Sequence, residues 1–296
     1  MSDPTASLTG AECAAGFRAE AQEIAERLVR EGGAAPRLVV VVATEDESSA
    51  WYVRSITRAA AKAGIVCDTV TLPSDAEPAV IRKQLATLSD DATVHGIILQ
   101  TPLPPGASAA DLAGAIAPGK DVDGANPLSL GRLAAGLPAF APATAEAVVR
   151  LLDAHGLALA GRTVAVVGRS TVVGKPLAHL LLDRDATVTV CHSRTADLAA
   201  VTRGADVVVA AAGRAGLVTA EHIAPGAVVV DVGTNPTEDG GLTGDVDADS
   251  VRGVAAALSP VPGGVGPVTT ALLLRHTALA AEAAQHPEGT QVAPRA

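Results

Sequence analysis

Aromatic side chains are almost missing from this chain: one Trp, one Tyr and two Phe stand among 296 residues. A core with so few rings must close with small aliphatic groups. Ala, Val and Leu carry most of the 48% hydrophobic content, which suits closely packed helices on a Val-rich parallel sheet. Cysteine is scarce as well. Cys13, Cys67 and Cys191 are widely spaced and match neither a disulfide framework nor a zinc spacing, so they read as buried reduced thiols. Positive charge is outnumbered: 22 Lys and Arg face 32 Asp and Glu, and the net charge of −10 excludes a general binder of nucleic acid or of anionic membranes. Any anionic ligand must meet local positive charge. No apolar run approaches the ~20 residues of a membrane span, and the opening MSDPTASLTGAECAAG lacks the charged-then-apolar order of a signal peptide. A cytoplasmic protein is expected.

At roughly 100 to 200 residues per domain, the length predicts two domains. Seven Val-rich runs read as strands: RLVVVVA from Arg37, VCDTVTL from Val66, VHGIILQ from Val94, RTVAVVG from Arg162, ATVTVCH from Ala186, ADVVVAAAG from Ala205 and GAVVVDVG from Gly226. Helical patterns near 9–31, 48–63, 76–89, 145–155, 173–183 and 196–203 alternate with them, the rhythm of α/β domains with parallel sheets. Pro and Gly punctuate GLPAFAPATAEA, before a helix that Thr144 is suited to cap, and the domain join is expected there. The polar end from about residue 285 reads as a disordered tail.

The chemistry is most legible after the second sheet begins. In TVAVVGRSTVVGKP a buried strand ends at Gly168 and a helix starts near Val173, so the loop N–H groups and the positive helix end can face a phosphate. Gly168 and Gly174 keep two places of the dinucleotide fingerprint, but Ser170 occupies the middle one, and the bare pattern equally fits an ordinary tight turn. His192, Ser193 and Arg194 end the next strand, where an acidic residue would hold the ribose of NAD. No acid is found there, and Arg169 and Arg194 are suited to bracket the extra phosphate of NADP, although each also reads as a solvated arginine. The Gly- and Pro-dense SPVPGGVGPVTTALLL lets backbone approach a flat ligand closely, while Gln100, Asp121 and Asp123 lie in loops at carboxyl ends where α/β ligands bind. Taken singly, each aspartate also reads as a solvated loop residue.

Together these segments resemble one family. YV from Tyr52, GIILQTPLP from Gly96, KDVDG from Lys120, GRSTVVGKP from Gly168, DVGTN from Asp231, GDV from Gly244 and PVPGGVGPVT from Pro260 occur in the order found in the bifunctional methylenetetrahydrofolate dehydrogenase/methenyltetrahydrofolate cyclohydrolase family. The likeness runs from about residue 8 to 280. It implies a folate-binding domain (1–144 plus a returning helix at about 266–284), a Rossmann-type NADP domain (145–265), an active-site cleft between them, and a homodimer without a metal. It also implies that Tyr52 lines the folate site, Gln100 lies beside the reacting carbon, Asp123 holds the pterin, and Pro262, Gly263 and Gly264 lie along the pterin and nicotinamide. Gly168, Arg169, Ser170, Val173, Gly174, His192, Ser193, Arg194, Gly213, Gly233 and Thr234 would contact the cofactor.

Physical chemistry agrees with two of these roles. A pterin edge offers two donors side by side, which a carboxylate such as Asp123 accepts in bidentate fashion. Tyr52 combines a flat apolar face with a polar tip. Its neighbour Trp51 points about 100° around the helix and is expected to pack behind it.

The chain departs from the family at Ile56. Bifunctional members have Lys four residues after the Tyr, and residues so spaced share one helix face, so Ile56 is expected to face the same substrate as Tyr52. Arg54 points the opposite way and Lys62 is about 15 Å up the helix, so neither is an obvious substitute. Ala143 and Ala145 in PATA, and Thr101 beside Gln100, are milder departures, the latter consistent with an altered ligand. Three readings follow: an NADP-dependent dehydrogenase with weak or absent cyclohydrolase activity, a fully bifunctional enzyme, or a paralogue that binds folate and NADP without turnover or with an altered substrate.

Overall fold

The computed structural model describes residues 5–237 and 240–286. Most of the expected tail from 285 lies outside those residues. The chain divides into two compact units, one made of residues 15–143 and 270–296 and the other of residues 1–14 and 144–269.

The chain runs through β1 (Ala6–Ser7), α1 (Ala11–Arg30), β2 (Arg37–Val42), α2 (Glu47–Lys62), β3 (Val66–Thr71), α3 (Pro78–Asp90), β4 (Gly96–Leu99), α4 (Ala109–Ala113), α5 (Pro127–Ala134) and α6 (Ala143–Ala154). It continues with β5 (Thr163–Val167), α7 (Gly174–Leu182), β6 (Thr187–Cys191), α8 (Leu198–Thr202), β7 (Val207–Ala210), β8 (Val228–Asp231), β9 (Asn235–Pro236), β10 (Leu242–Thr243), α9 (Ala248–Val251), β11 (Ala257–Leu258) and α10 (Val265–Gln285).

The first unit holds a three-stranded parallel sheet, β3-β2-β4, with Leu38 to Val42 buried along the central strand. That strand is covered on both faces, which is why its sequence is an unbroken apolar run rather than an alternating one. Val39, Val41, Ile97, Ile81 and Leu85 form the layer between the sheet and α3. Asp46 caps α2 by accepting the Ser49 N–H at 2.8 Å, with Glu47 in the first turn and Lys62 in the last, both suited to the helix dipole.

The second unit holds a parallel sheet in the order β1-β11-β8-β7-β5-β6. The chain runs outward from β5 to β6 and then crosses to β7 on the other side of β5. The order therefore reverses between β5 and β7, the topological switch at which doubly wound sheets take their ligands.

Several details differ from the sequence expectations. Residues 1–14 belong to the second unit rather than the first, because β1 pairs with β11 through Ala6↔Ala257 and Ser7↔Leu258. Helix α6 opens at Ala143, before Thr144. GKDVDGANPLSLGRL is not loop throughout: Asn126 accepts the Leu128 N–H at 2.7 Å and Pro127 fits the first helical position, so α5 forms despite Gly131. Of the three free cysteines only Cys191 is fully buried. Trp51 does not pack behind Tyr52 within the chain, since 57% of its surface is exposed. Among the described residues no helix is long and apolar enough to cross a membrane.

Candidate active site

In the first unit, three expected residues sit on elements that the sheet and α2 position. Tyr52 is half-buried on α2. Its hydroxyl is pushed above its ordinary pKa, mainly by burial and then by the negative charge of Asp123, with a hydrogen bond from Thr270 opposing both. The ring and the carboxylate therefore share one environment. Asp123 is pushed up to about 7, chiefly by burial and next by Asp121, while His276 pulls the other way.

Asp121 and Asp123 are two residues apart yet do different work. Asp121 has no accessible surface and accepts the N–H groups of Ala125 and Asn126 at 2.9 Å each, and the Ser129 hydroxyl at 2.7 Å. It is the organiser of the loop. Asp123 is only half-buried, in the same loop, and among the described residues its carboxylate has no comparable set of donors. Gly124 follows at φ +63°, where an added Cβ would stand 2.4 Å from the Pro142 nitrogen, so only glycine lets the chain turn there. The buried His276 on α10 meets the Val122 carbonyl at 2.8 Å and lies 4.8 Å from the Phe140 ring.

Gln100 continues the strand ladder by donating its N–H to Val41 at 2.9 Å, and its side-chain amide donates to the Thr101 carbonyl at 2.7 Å. The Ser49 hydroxyl donates to that same carbonyl at 3.0 Å, which ties the Gln100 loop to the first turn of α2. The Thr101–Pro102 peptide bond is cis. Ile56 is the exception among these positions. One turn beyond Tyr52, it has no accessible surface and packs in the interior of the unit instead of standing open beside the ring.

In the second unit, Gly168, His192, Gly213 and Gly233 all lie just beyond the carboxyl ends of the adjacent parallel strands β5, β6, β7 and β8. Gly168 has φ +138°, and an added Cβ would stand 2.1 Å from the Ala211 carbonyl across the switch point. A Cβ on Gly174 would stand 2.1 Å from the Gly168 carbonyl. These two glycines close the turn between strand and helix. Between them Ser170 accepts the Val173 N–H at 3.1 Å, and Arg169 and Ser170 remain exposed. His192 takes the Arg194 N–H on its Nδ1 at 3.1 Å, which leaves Ser193 and Arg194 exposed at the end of β6.

Two buried aspartates that sequence reasoning left without a role hold the remaining loops. Asp231 accepts N–H groups from Gly233, Asp245 and Val246 at 2.9, 2.9 and 3.0 Å, and burial pushes it up to about 6 against those bonds. Asp245, with no accessible surface, accepts from the backbone of Ala212, Gly213 and Arg214 at 2.6 to 2.8 Å and from the Asn235 amide at 2.9 Å. Gly213 and Gly233 are thus fixed through carboxylates, with Thr234 exposed beside them. An acid at the end of an otherwise apolar run, as in GAVVVD, was the available signal. After β11, Gly263 has φ +112° and its carbonyl takes the Gly10 N–H at 2.9 Å, while a Cβ on Gly264 would meet the Pro260 carbonyl at 2.8 Å; Pro262 follows a cis bond and is exposed.

Residues 8–123 match the tetrahydrofolate dehydrogenase/cyclohydrolase catalytic domain, and residues 142–285 match the NAD(P)-binding domain of the same family. The chain belongs to the tetrahydrofolate dehydrogenase/cyclohydrolase family. It is similar to bifunctional protein FolD 1 of Saccharopolyspora erythraea, at 67% identity over 92% of this chain and 93% of that one. Among solved structures, the bifunctional FolD enzyme of Campylobacter jejuni is 36% identical with a TM-score of 0.89, over 94% of this chain and 99% of that one. The Trypanosoma brucei FolD enzyme, solved with NADP and an inhibitor, is 38% identical with a TM-score of 0.88, over 94% and 97%. Membership in this family accounts for the pairing of a catalytic domain with an NAD(P)-binding domain.

Proposed function

We propose that this protein oxidises 5,10-methylenetetrahydrofolate with NADP and that its hydrolysis of the methenyl product is weak or absent. The observation that carries the second half is Ile56, an alkyl side chain with no accessible surface one turn from Tyr52.

The residues of the second unit suit a dinucleotide. The turn between Gly168 and Gly174 has no space for a Cβ at either end, the cradle a diphosphate needs beside a helix N-terminus, and Arg169 and Arg194 are exposed cations suited to a ribose phosphate. Bound NADP supplies the hydride acceptor. Asp123, ionised, accepts the paired donors of the pterin; Tyr52 stacks and presents its neutral hydroxyl; Gln100 orients the reacting carbon; Pro262, Gly263 and Gly264 give a flat backbone surface.

The two half-reactions ask different things of these groups. Removing a hydride from a carbon flanked by two nitrogens leaves a delocalised cation, so the protein need only orient the reactants. Hydrolysis of that cation needs a water to lose a proton and a ring nitrogen to gain one. A positioned Lys can do this and Ile56 cannot, which removes a contribution worth roughly 10²- to 10⁴-fold. A second reading, full bifunctionality, is favoured by the name of the Saccharopolyspora relative and by Asp123, whose carboxyl, held near 7, is suited to exchange protons. A homodimer and a cytoplasmic location belong to the same proposal.

The test is cofactor reduction by purified protein given methylenetetrahydrofolate with NADP or NAD. Reduction of NADP with a higher kcat/KM than NAD is expected. Folate binding without reduction of either would replace the proposal with a non-catalytic paralogue.

A further inference from the structure

The turn after β7 is an anion nest that the chain itself fills. Ala212 and Gly213 direct their N–H groups onto Asp245 Oδ2 at 2.6 and 2.8 Å, the Arg214 N–H meets Oδ1 at 2.8 Å, and the Asn235 amide completes Oδ1 at 2.9 Å. Successive N–H groups arranged in this way are suited to a phosphate. The turn after β8 is built alike: Asp231 Oδ1 accepts the N–H groups of Gly233 and Asp245 at 2.9 Å each, and its Oδ2 accepts that of Val246 at 3.0 Å. The packing is close. A Cβ on Gly233 would overlap Asp245, and one on Gly244 would overlap the Asp231 carboxyl. Asp245 and Asp231 are both buried, so they act on a ligand only through the turns they hold. Among the described residues their donors are N–H groups and not cations, which leaves both turns backed by negative charge.

We propose that Asp245, with Asp231 behind it, is the positioning residue for the nicotinamide half of the cofactor. By occupying the N–H groups at the ends of β7 and β8, the two carboxylates confine the diphosphate to the Gly168–Gly174 turn and shape their own turns for the nicotinamide. The assignment rests on the NADP reading above. Sheet order supports it. Along β8-β7-β5-β6, Arg194 follows β6 on the adenosine side and the Gly168–Gly174 turn follows β5, so the part of a dinucleotide beyond the diphosphate has the β7 and β8 turns to lie on. Charge supports it too. A buried carboxylate repels a phosphate and favours the nicotinamide ring, which is cationic in NADP before the hydride arrives. Without Asp245 the β7 turn would become a second phosphate nest, and the diphosphate would no longer have one register.

The test compares NADPH with adenosine 2′,5′-bisphosphate, a fragment of the adenosine half alone, as ligands of the full chain and of D245N. In the variant an amide nitrogen replaces Oδ1 or Oδ2, and in either orientation it faces two N–H donors. Calorimetry should show NADPH affinity lowered roughly 10- to 100-fold, as loss of charged hydrogen bonds within the turn requires, with the affinity for the fragment unchanged. The kcat with NADP and methylenetetrahydrofolate should fall on the order of 10²-fold, the cost of a small misplacement of the reacting ring. A merely structural role would weaken both ligands alike. Hydrogen exchange on the parent gives a second measurement that needs no variant. The N–H groups of Gly213 and Arg214, residues that are themselves exposed, should be protected in the free protein and slow further with NADPH but not with the fragment. Equal loss of both ligands in D245N, parent-like NADPH affinity and kcat in the folded variant, or unprotected exchange at Gly213 and Arg214 would overturn the proposal. A parent that binds NADPH but oxidises no folate would remove the folate reading alone, and selective loss of NADPH affinity in D245N would still uphold this inference.

Discussion

Asp123→Asn gives the sharpest view of how the proposed pterin contact is energised. The carboxylate of Asp123 is proposed to accept two hydrogen bonds, each of the charge-assisted kind worth about 1.5–3 kcal/mol. The amide keeps one acceptor and turns a donor toward the second pterin N–H, so at least one such bond is lost and a donor is left facing a donor. A loss of about 3 kcal/mol corresponds to a KM for folate raised on the order of 100-fold. The pH dependence follows from the same group. Burial and the charge of Asp121 raise Asp123 to about 7, so the binding-competent ion is the minority below that pH. Folate affinity should therefore fall about tenfold from pH 8 to pH 6 in the parent and stay flat in Asp123→Asn. Stability runs the other way: a carboxyl raised on folding holds more protons in the native state, so its contribution is greatest below the unfolded value near 3.8 and is lost as pH rises to about 7. The assay is initial velocity against folate at fixed saturating NADP, at both pH values, with the melting temperature of each protein as a check on folding. A parent KM that does not change between pH 6 and 8, or an Asn variant within threefold of the parent, would refute the bidentate contact.

Three further outcomes are expected. Ile56→Lys should raise methenyl hydrolysis, by roughly 10²- to 10⁴-fold if the ammonium reaches the reacting water, while lowering the melting temperature because a fully buried alkyl group is replaced by a cation; no gain in hydrolysis by a folded variant would mean that the pocket differs beyond this one position. Arg194→Ser should lower kcat/KM for NADP roughly 10- to 100-fold and leave NAD nearly unchanged, as loss of one charged phosphate contact requires; equal effects on both cofactors would move Arg194 out of the phosphate contact. Gly168→Ala should abolish NADP binding measured by calorimetry, since its Cβ would stand 2.1 Å from the Ala211 carbonyl at a φ of +138°; retained affinity would show that the turn is not the cradle.

The sheets were legible because their strands are Val-rich runs punctuated by glycine, and all seven expected strands form. Short elements were not. The two-residue strands β1 and β11 have no periodicity to detect, and only their pairing carries residues 1–14 into the second unit. Helix α5 was hidden by Pro127 and Gly131, residues that usually mark loops yet here fit the cap and an open site on the surface. The candidate site was read through motifs, which located Tyr52, Gln100 and Asp123 but not what surrounds them. The contribution of Asp121 to Asp123, the Thr270 and His276 contacts from α10, and the loop-holding carboxylates of Asp231 and Asp245 depend on chain segments far apart in sequence. Trp51 was misread for a related reason. Its direction on the helix was computable, but whether anything covered it depended on neighbours the sequence does not name.

Hydrolysis of the methenyl ring tests the central claim most directly. Purified protein is given 5,10-methenyltetrahydrofolate without NADP, and the decay of its absorbance is compared with that in buffer alone and with protein carrying Ile56→Lys. Decay in the parent close to the buffer rate, alongside competent reduction of NADP by methylenetetrahydrofolate, is the predicted result. Parent-catalysed decay comparable to its dehydrogenase turnover would contradict it and establish that hydrolysis proceeds here without a lysine beside Tyr52.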